Sequence, residues 1–196
     1  METAYPKVNF LLSATGGCPP TFSLEGTSFV NKQCDNINAD RFKWMRSLND
    51  MKTIVMSLRV SPDREPLIVD TVRQLTSEGY RVIVLGAGPT YSEDVSAIIL
   101  RAGSLDAADI NARKYLEQDV FANESGFEKD VKAAGGAYIG KRAFFCGDGP
   151  CRLMNKDETM PVIFDKHHLT HEAAVEFGQY LAEKHPNLFE TADPTN

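Results

Sequence analysis

No stretch of this sequence approaches the ~20 uninterrupted apolar residues that a membrane-spanning helix requires. Nor does any block of consecutive basic residues interrupt its acidic balance. Lys and Arg number 21 against 27 Asp and Glu, a net charge of −6, which argues against a surface that tracks nucleic-acid phosphates. A GxxxxGK[S/T] string is missing, which removes a P-loop at the motif level, and no CxxC occurs among the four cysteines. There is no internal repeat, low-complexity tract or linker to divide the chain, and 196 residues suffice for one well-packed domain but are few for two. The opening, Met1 to Pro6, has neither a basic start nor an apolar run that would export it, so by itself this end reads as cytoplasmic.

Apolar content is sufficient for folding: Leu, Ile, Val and Phe make up 48 of the 196 residues, a share above the roughly 20% below which disorder is expected. The cysteines argue against the cytoplasm, because they fall into two local pairs, Cys18 with Cys34 and Cys146 with Cys151. Such pairs suggest disulfides in an oxidising compartment, the alternative being four buried thiols in a reduced protein.

Short apolar runs alternate with helical patterns, which predicts an α/β fold built on a mostly parallel sheet. Val8–Leu12, Thr53–Leu58, Tyr80–Leu85 and Ala137–Phe145 read as strands. Asp40–Leu48 has helical spacing, as does a segment with Pro66 in its first turn and Gly79 as its stop. Asp106 to about Ala134 is helical with a break near Asn123–Gly126, and Thr170–Lys184 is an amphipathic closing helix. Residues 1–185 are expected to form the domain and 186–196 a frayed tail.

Three clusters are candidates for chemistry. Gly86-Ala87-Gly88 follows the strongest strand, but Tyr91 stands where a dinucleotide fingerprint needs its third glycine, so a glycine-rich turn is the plainer reading. Asp165-Lys166-His167-His168-Leu169-Thr170-His171 holds three of the four histidines. His167 and His171, four apart, could share a helical face and bind a metal with Asp165. Alternatively Asp165 and His168 form a catalytic Asp-x-x-His, in which the carboxylate fixes the imidazole tautomer while the other ring nitrogen takes a proton from a serine hydroxyl. The bland alternative is that Asp165 caps the final helix and the histidines lie on the surface.

Asp165-x-x-His168-Leu169-Thr170, followed by Ala173-Ala174 and a closing helix, resembles the end of SGNH hydrolase domains. It is most similar to the extracytoplasmic SGNH domains attached to family 3 membrane acyltransferases, which O-acetylate cell-surface polysaccharides. Gly17-Cys18-Pro19-Pro20 looks like the family's Cys-Pro-Pro, Thr53 to Arg59 like its apolar strand followed by Arg, and Cys146 to Cys151 like its late cysteine pair. The likeness spans about residues 8 to 184, with Ala173 where glycine is usual. The family's Gly-Asp-Ser block occurs nowhere in the sequence; Gly147-Asp148-Gly149 is the nearest string.

The resemblance implies a three-layer α/β/α sandwich of flavodoxin-like SGNH type with its first strand and helix missing, so that residues 1–196 alone are expected to be poorly stable or to show an empty groove between the Val8 and Thr53 strands. It implies acyl transfer by a Ser-His-Asp mechanism, with Asp165 and His168 catalytic, Gly17 and Arg59 at the oxyanion positions, and the serine upstream of this chain. Arg59 departs from the Asn of standard SGNH enzymes. No cofactor or metal is implied. The expected partners are a glycan acceptor, an acyl donor and an upstream membrane acyltransferase domain, with no nucleic acid; the expected location is periplasmic, tethered to the inner membrane. Without the Gly-Asp-Ser nucleophile, the alternative is a non-catalytic remnant or glycan-binding domain of the same fold.

Overall fold

The structure is a computed structural model, and it describes residues 1–23, 32–57, 59 and 62–190. The chain divides into two compact units. One comprises residues 11–87 and 121–140; the other comprises 1–10, 88–120 and 141–196.

The first of these units holds a parallel three-stranded sheet in the order β1 (Thr53–Ser57), β2 (Arg81–Leu85), β3 (Ala137–Ile139). Ile54 pairs with Val82, and Val84 with Tyr138. Consecutive parallel strands need a crossover, and α2 (Glu65–Ser77) supplies it between β1 and β2. Pro66 sits in its first turn, where a missing N–H costs nothing. Its end is fixed by Gly79 at φ +90°, with the Gly79 N–H donating to the Thr76 carbonyl (3.0 Å) and the Tyr80 N–H to that of Leu75 (3.1 Å). This is the paired closure that favours glycine just past a helix.

The core of this unit forms where Ile68, Val72 and Leu75 of α2 meet Val82 and Val84 of β2, with Phe42 and Met45 from α1 (Lys32–Arg46) and Phe127 and Val131 from α5 (Glu124–Ala133). Ile83 and Leu85, on the opposite face of β2, are buried as well, which explains why this strand reads as a continuous apolar run. Gly86 ends it. A Cβ there would lie 2.0 Å from the Tyr138 hydroxyl oxygen, so the glycine admits a close approach of β3's aromatic ring, which accords with a structural turn.

Cys18 and Cys34 are bonded, tying the Pro19-Pro20 segment to α1 across a separation of 16 residues. Cys34 is fully buried, and the Asn38 amide one turn on donates to the Pro19 carbonyl at 2.8 Å. A Cys18→Ala/Cys34→Ala variant is expected to lose about 3 kcal/mol of stability from the restored freedom of the unfolded loop. Urea unfolding monitored by circular dichroism measures this, and an unchanged midpoint would overturn it.

The other unit is helical: α3 (Val95–Ala102), α4 (Leu105–Tyr115), the one-turn α6 (Arg142–Phe145) and α7 (His171–Lys184). The Ser104 hydroxyl caps α4 by accepting from the Ala107 N–H at 3.2 Å. Phe144 and Phe145 pack against Phe177 and Tyr180 of α7, and Arg152 covers Phe144 at 4.6 Å while pairing with Glu176 at 2.8 Å. The second disulfide, Cys146–Cys151, closes the loop after α6. Among the described residues no helix is long and apolar enough to cross a membrane.

Several elements differ from expectation. Residues 8–12 form no strand, and Leu11 and Leu12 are 64% and 90% exposed. Strand propensity reports fit to a pleated, half-buried surface, and no neighbouring strand pairs with this segment among the described residues. The strand expected to border a gap beside Thr53 is therefore not formed. The Ala137–Phe145 strand stops at Ile139 and gives way to α6, while α1 begins at Lys32, eight residues before the expected start. The long helix after Asp106 is three pieces: α4, a 3-10 turn over Gln118–Phe121, and α5. Leu58, expected to end the second strand, lies outside the described residues, as do 191–196 of the expected tail.

Candidate active site

The loop before α7 is narrow and held at both rims. Ile163 and Leu169 bridge antiparallel, the Phe164 N–H donates to the His168 carbonyl at 3.1 Å, and the Thr170 N–H donates to that of Val162 at 3.0 Å. Val162 and Ile163 are buried and anchor the rim. At its tip, two main-chain carbonyls are held from outside the loop. The Val95 N–H donates to Asp165 and the Tyr91 N–H to Lys166, each at 2.8 Å. Val95 opens α3, so its N–H is one of the donors a helix start leaves without an intrahelical acceptor.

Within this frame the Asp165 carboxylate works on both oxygens. Oδ1 accepts from the N–H of His167 (2.9 Å) and of His168 (2.8 Å). Oδ2 lies 2.6 Å from His168 Nδ1. Partial burial pushes the carboxyl group's pKa up, but the His168 hydrogen bond and the two backbone N–H groups outweigh it and hold Asp165 well below the usual carboxylate range. An ionised carboxylate only accepts, so Nδ1 carries the hydrogen and the neutral ring's lone pair is on Nε2. The His168 side chain is 60% exposed, which leaves it open to reactants. An oriented imidazole with an available Nε2 can take a proton from a hydroxyl and return it.

The cap of α7 belongs to Thr170. Its hydroxyl accepts from the Ala173 N–H at 3.3 Å and donates to the Pro161 carbonyl at 2.7 Å. Asp165 therefore does not cap this helix. The His167–His171 pairing on one helical face is not realised either, because α7 starts at His171 and His167 lies in the loop. The His167 ring instead lies beside that of His168, centroids 4.1 Å apart and planes tilted by 39°, and Phe164 lies near-parallel to His168 at 5.8 Å.

Gly17 and Arg59 lie in the sheet-bearing unit. Gly17 is an exposed turn residue at φ +76°, adjacent to the bonded Cys18, and Arg59 is exposed in the segment after β1. Sequence reasoning did not find the two backbone donors, Tyr91 and Val95. A main-chain N–H carries no residue signature, so nothing in the sequence could have named them.

The sequence profile of SGNH domains fused to AT3 domains matches residues 2–183, and the chain belongs to this family. Its fold is similar to that of the periplasmic domain of the lipopolysaccharide acetyltransferase from Salmonella ser. Paratyphi A, with a TM-score of 0.63 over 88% of this chain and 69% of that one. At 16% identity the likeness speaks for the fold. Comparison with curated proteins gives no match.

Proposed function

We propose that this chain is the extracytoplasmic SGNH domain of an O-acyltransferase that moves acetyl groups onto hydroxyls of a bacterial cell-surface polysaccharide. The observation that carries the reading is the bond from His168 Nδ1 to an ionised Asp165 in the Asp-x-x-His loop. Membership of a family fused to AT3 domains supports a membrane domain as partner, the source of the acyl donor. The two disulfides suit an oxidising compartment.

The reaction is a double displacement. His168 Nε2 removes the proton of a serine hydroxyl as its oxygen attacks the acetyl carbonyl carbon, and the imidazolium then protonates the departing donor group, leaving acetyl-serine. In the second half Nε2 removes the proton of the sugar hydroxyl, which attacks the acetyl carbon, and the serine oxygen leaves with that proton. Asp165 keeps Nδ1–H aligned and stabilises the transient imidazolium. Since no Gly-Asp-Ser occurs in the sequence, the serine is assigned to a segment outside these 196 residues. Gly17 and Arg59 are the oxyanion candidates. The same missing motif favours, as the second reading, a non-catalytic or glycan-binding domain of this fold.

The two separate in the host cell. Disrupting the gene is expected to remove O-acetyl signals from the proton NMR spectrum of the surface polysaccharide, and the intact gene to restore them; unchanged acetylation would overturn the enzymatic reading. The 196-residue chain alone is expected to hydrolyse 4-nitrophenyl acetate no faster than buffer. Hydrolysis lost in a His168→Ala variant would instead place the nucleophile within it.

A further inference from the structure

Asp165, His167 and His168 present one donor atom each, and the three atoms lie within 4.8 Å of one another. Around a tetrahedral zinc ion with metal–donor distances near 2.0–2.1 Å, donors stand about 3.3 Å apart, so modest side-chain rotations would bring this set to that spacing. The backbone need not move. Its carbonyls at Asp165, Lys166 and His168 are already held by the N–H groups of Val95, Tyr91 and Phe164, which steadies the backbone that carries all three side chains. Access is open, since His168 is 60% exposed at its side chain, and solvent can complete the coordination shell.

The donor chemistry selects the cation. Two imidazoles and one carboxylate suit zinc, whereas magnesium and calcium favour oxygen donors. We infer that this loop is a zinc-binding site made of Asp165, His167 and His168, distinct from any pairing through His171. Binding stands on these residues irrespective of acyl transfer. Where acyl transfer also holds, zinc is an inhibitor, because coordination takes both Asp165 and His168 out of the hydrogen bond that aligns the proton carrier.

Titrating the 196-residue chain with zinc chloride by isothermal calorimetry, in chelator-free buffer at neutral pH, is expected to give one saturable site, with magnesium chloride giving none. His167→Ala should weaken zinc binding by roughly tenfold or more, while His171→Ala leaves it unchanged. On the unaltered protein, zinc should shift the imidazole nitrogen resonances of His167 and His168 and spare those of His171 and His185. Absence of a saturable site, equal losses in the two variants, or shifts spread over all four histidines would overturn the assignment. None of these failures would alter the effect of His168→Ala on acetyl transfer, so the two proposals fall separately.

Discussion

Replacing His168 by alanine is expected to lower the proposed acetyl transfer, measured in the host cell, by about 1,000-fold or more, with the domain still folded. The size follows from what is removed. Without Nε2, both the serine and the sugar hydroxyl lose the base assigned to them, so both half-reactions slow. His168 is exposed at its side chain, and α7 takes its cap from Thr170 instead, so the substitution has little structural cost. Asp165→Asn is expected to lower the rate on the order of 100- to 10,000-fold. An amide in place of the carboxylate can present its NH2 to Nδ1, which turns the tautomer and leaves Nε2 carrying a hydrogen. Acetyl release from polysaccharide, normalised to protein abundance, measures both. Full activity in either variant would refute the assigned roles.

The second large effect concerns stability. Phe145→Ala is expected to cost about 3–5 kcal/mol, through lost burial and the cavity left behind. Phe145 is 1% exposed and touches the rings of Phe144 and Phe177, so its loss loosens the packing of α6 on α7 directly. Against a total stability of roughly 5–15 kcal/mol, this shifts the unfolding midpoint substantially. Phe145→Leu, which retains most of the apolar volume, is expected to cost less. Urea titrations of the two variants that superimpose on the unaltered protein would contradict the packing described.

Much of this architecture is legible in the residues. The run Tyr80–Leu85 marks the central strand because burial on both faces demands apolar side chains without alternation. Pro66 and Gly79 bracket α2 because the first residue suits a helix start and the second a left-handed closure. The spacing of Asp165 and His168 is readable since three residues in a tight loop suffice to return a carboxylate to an imidazole, and the cysteine pairs are bonded as their proximity suggests.

What is not legible depends on partners far away in sequence. Val8–Leu12 has strand-forming composition, yet among the described residues no strand pairs with it. Helix α3 gave no clear signal: it is eight residues long, its Asp94 cap makes no side-chain hydrogen bond, and Leu100 lies 83% exposed. The division of 106–134 into three pieces is set by tertiary packing more than by propensity, which is a weak prior over short windows. His167 reads as a helical partner of His171 only if the helix starts before Thr170, and a spacing of four does not fix where a helix begins.

The grip of Tyr91 and Val95 on the two tip carbonyls has a bearing on engineering. Grafting residues 162–170 onto another scaffold would transplant the aspartate and the imidazole but leave behind the hands that steady them. A faithful transfer has to carry the 91–95 stretch as well. By the same token, substitutions at the entrance to α3 offer a way to retune the aim of the histidine while the chemical groups themselves stay untouched.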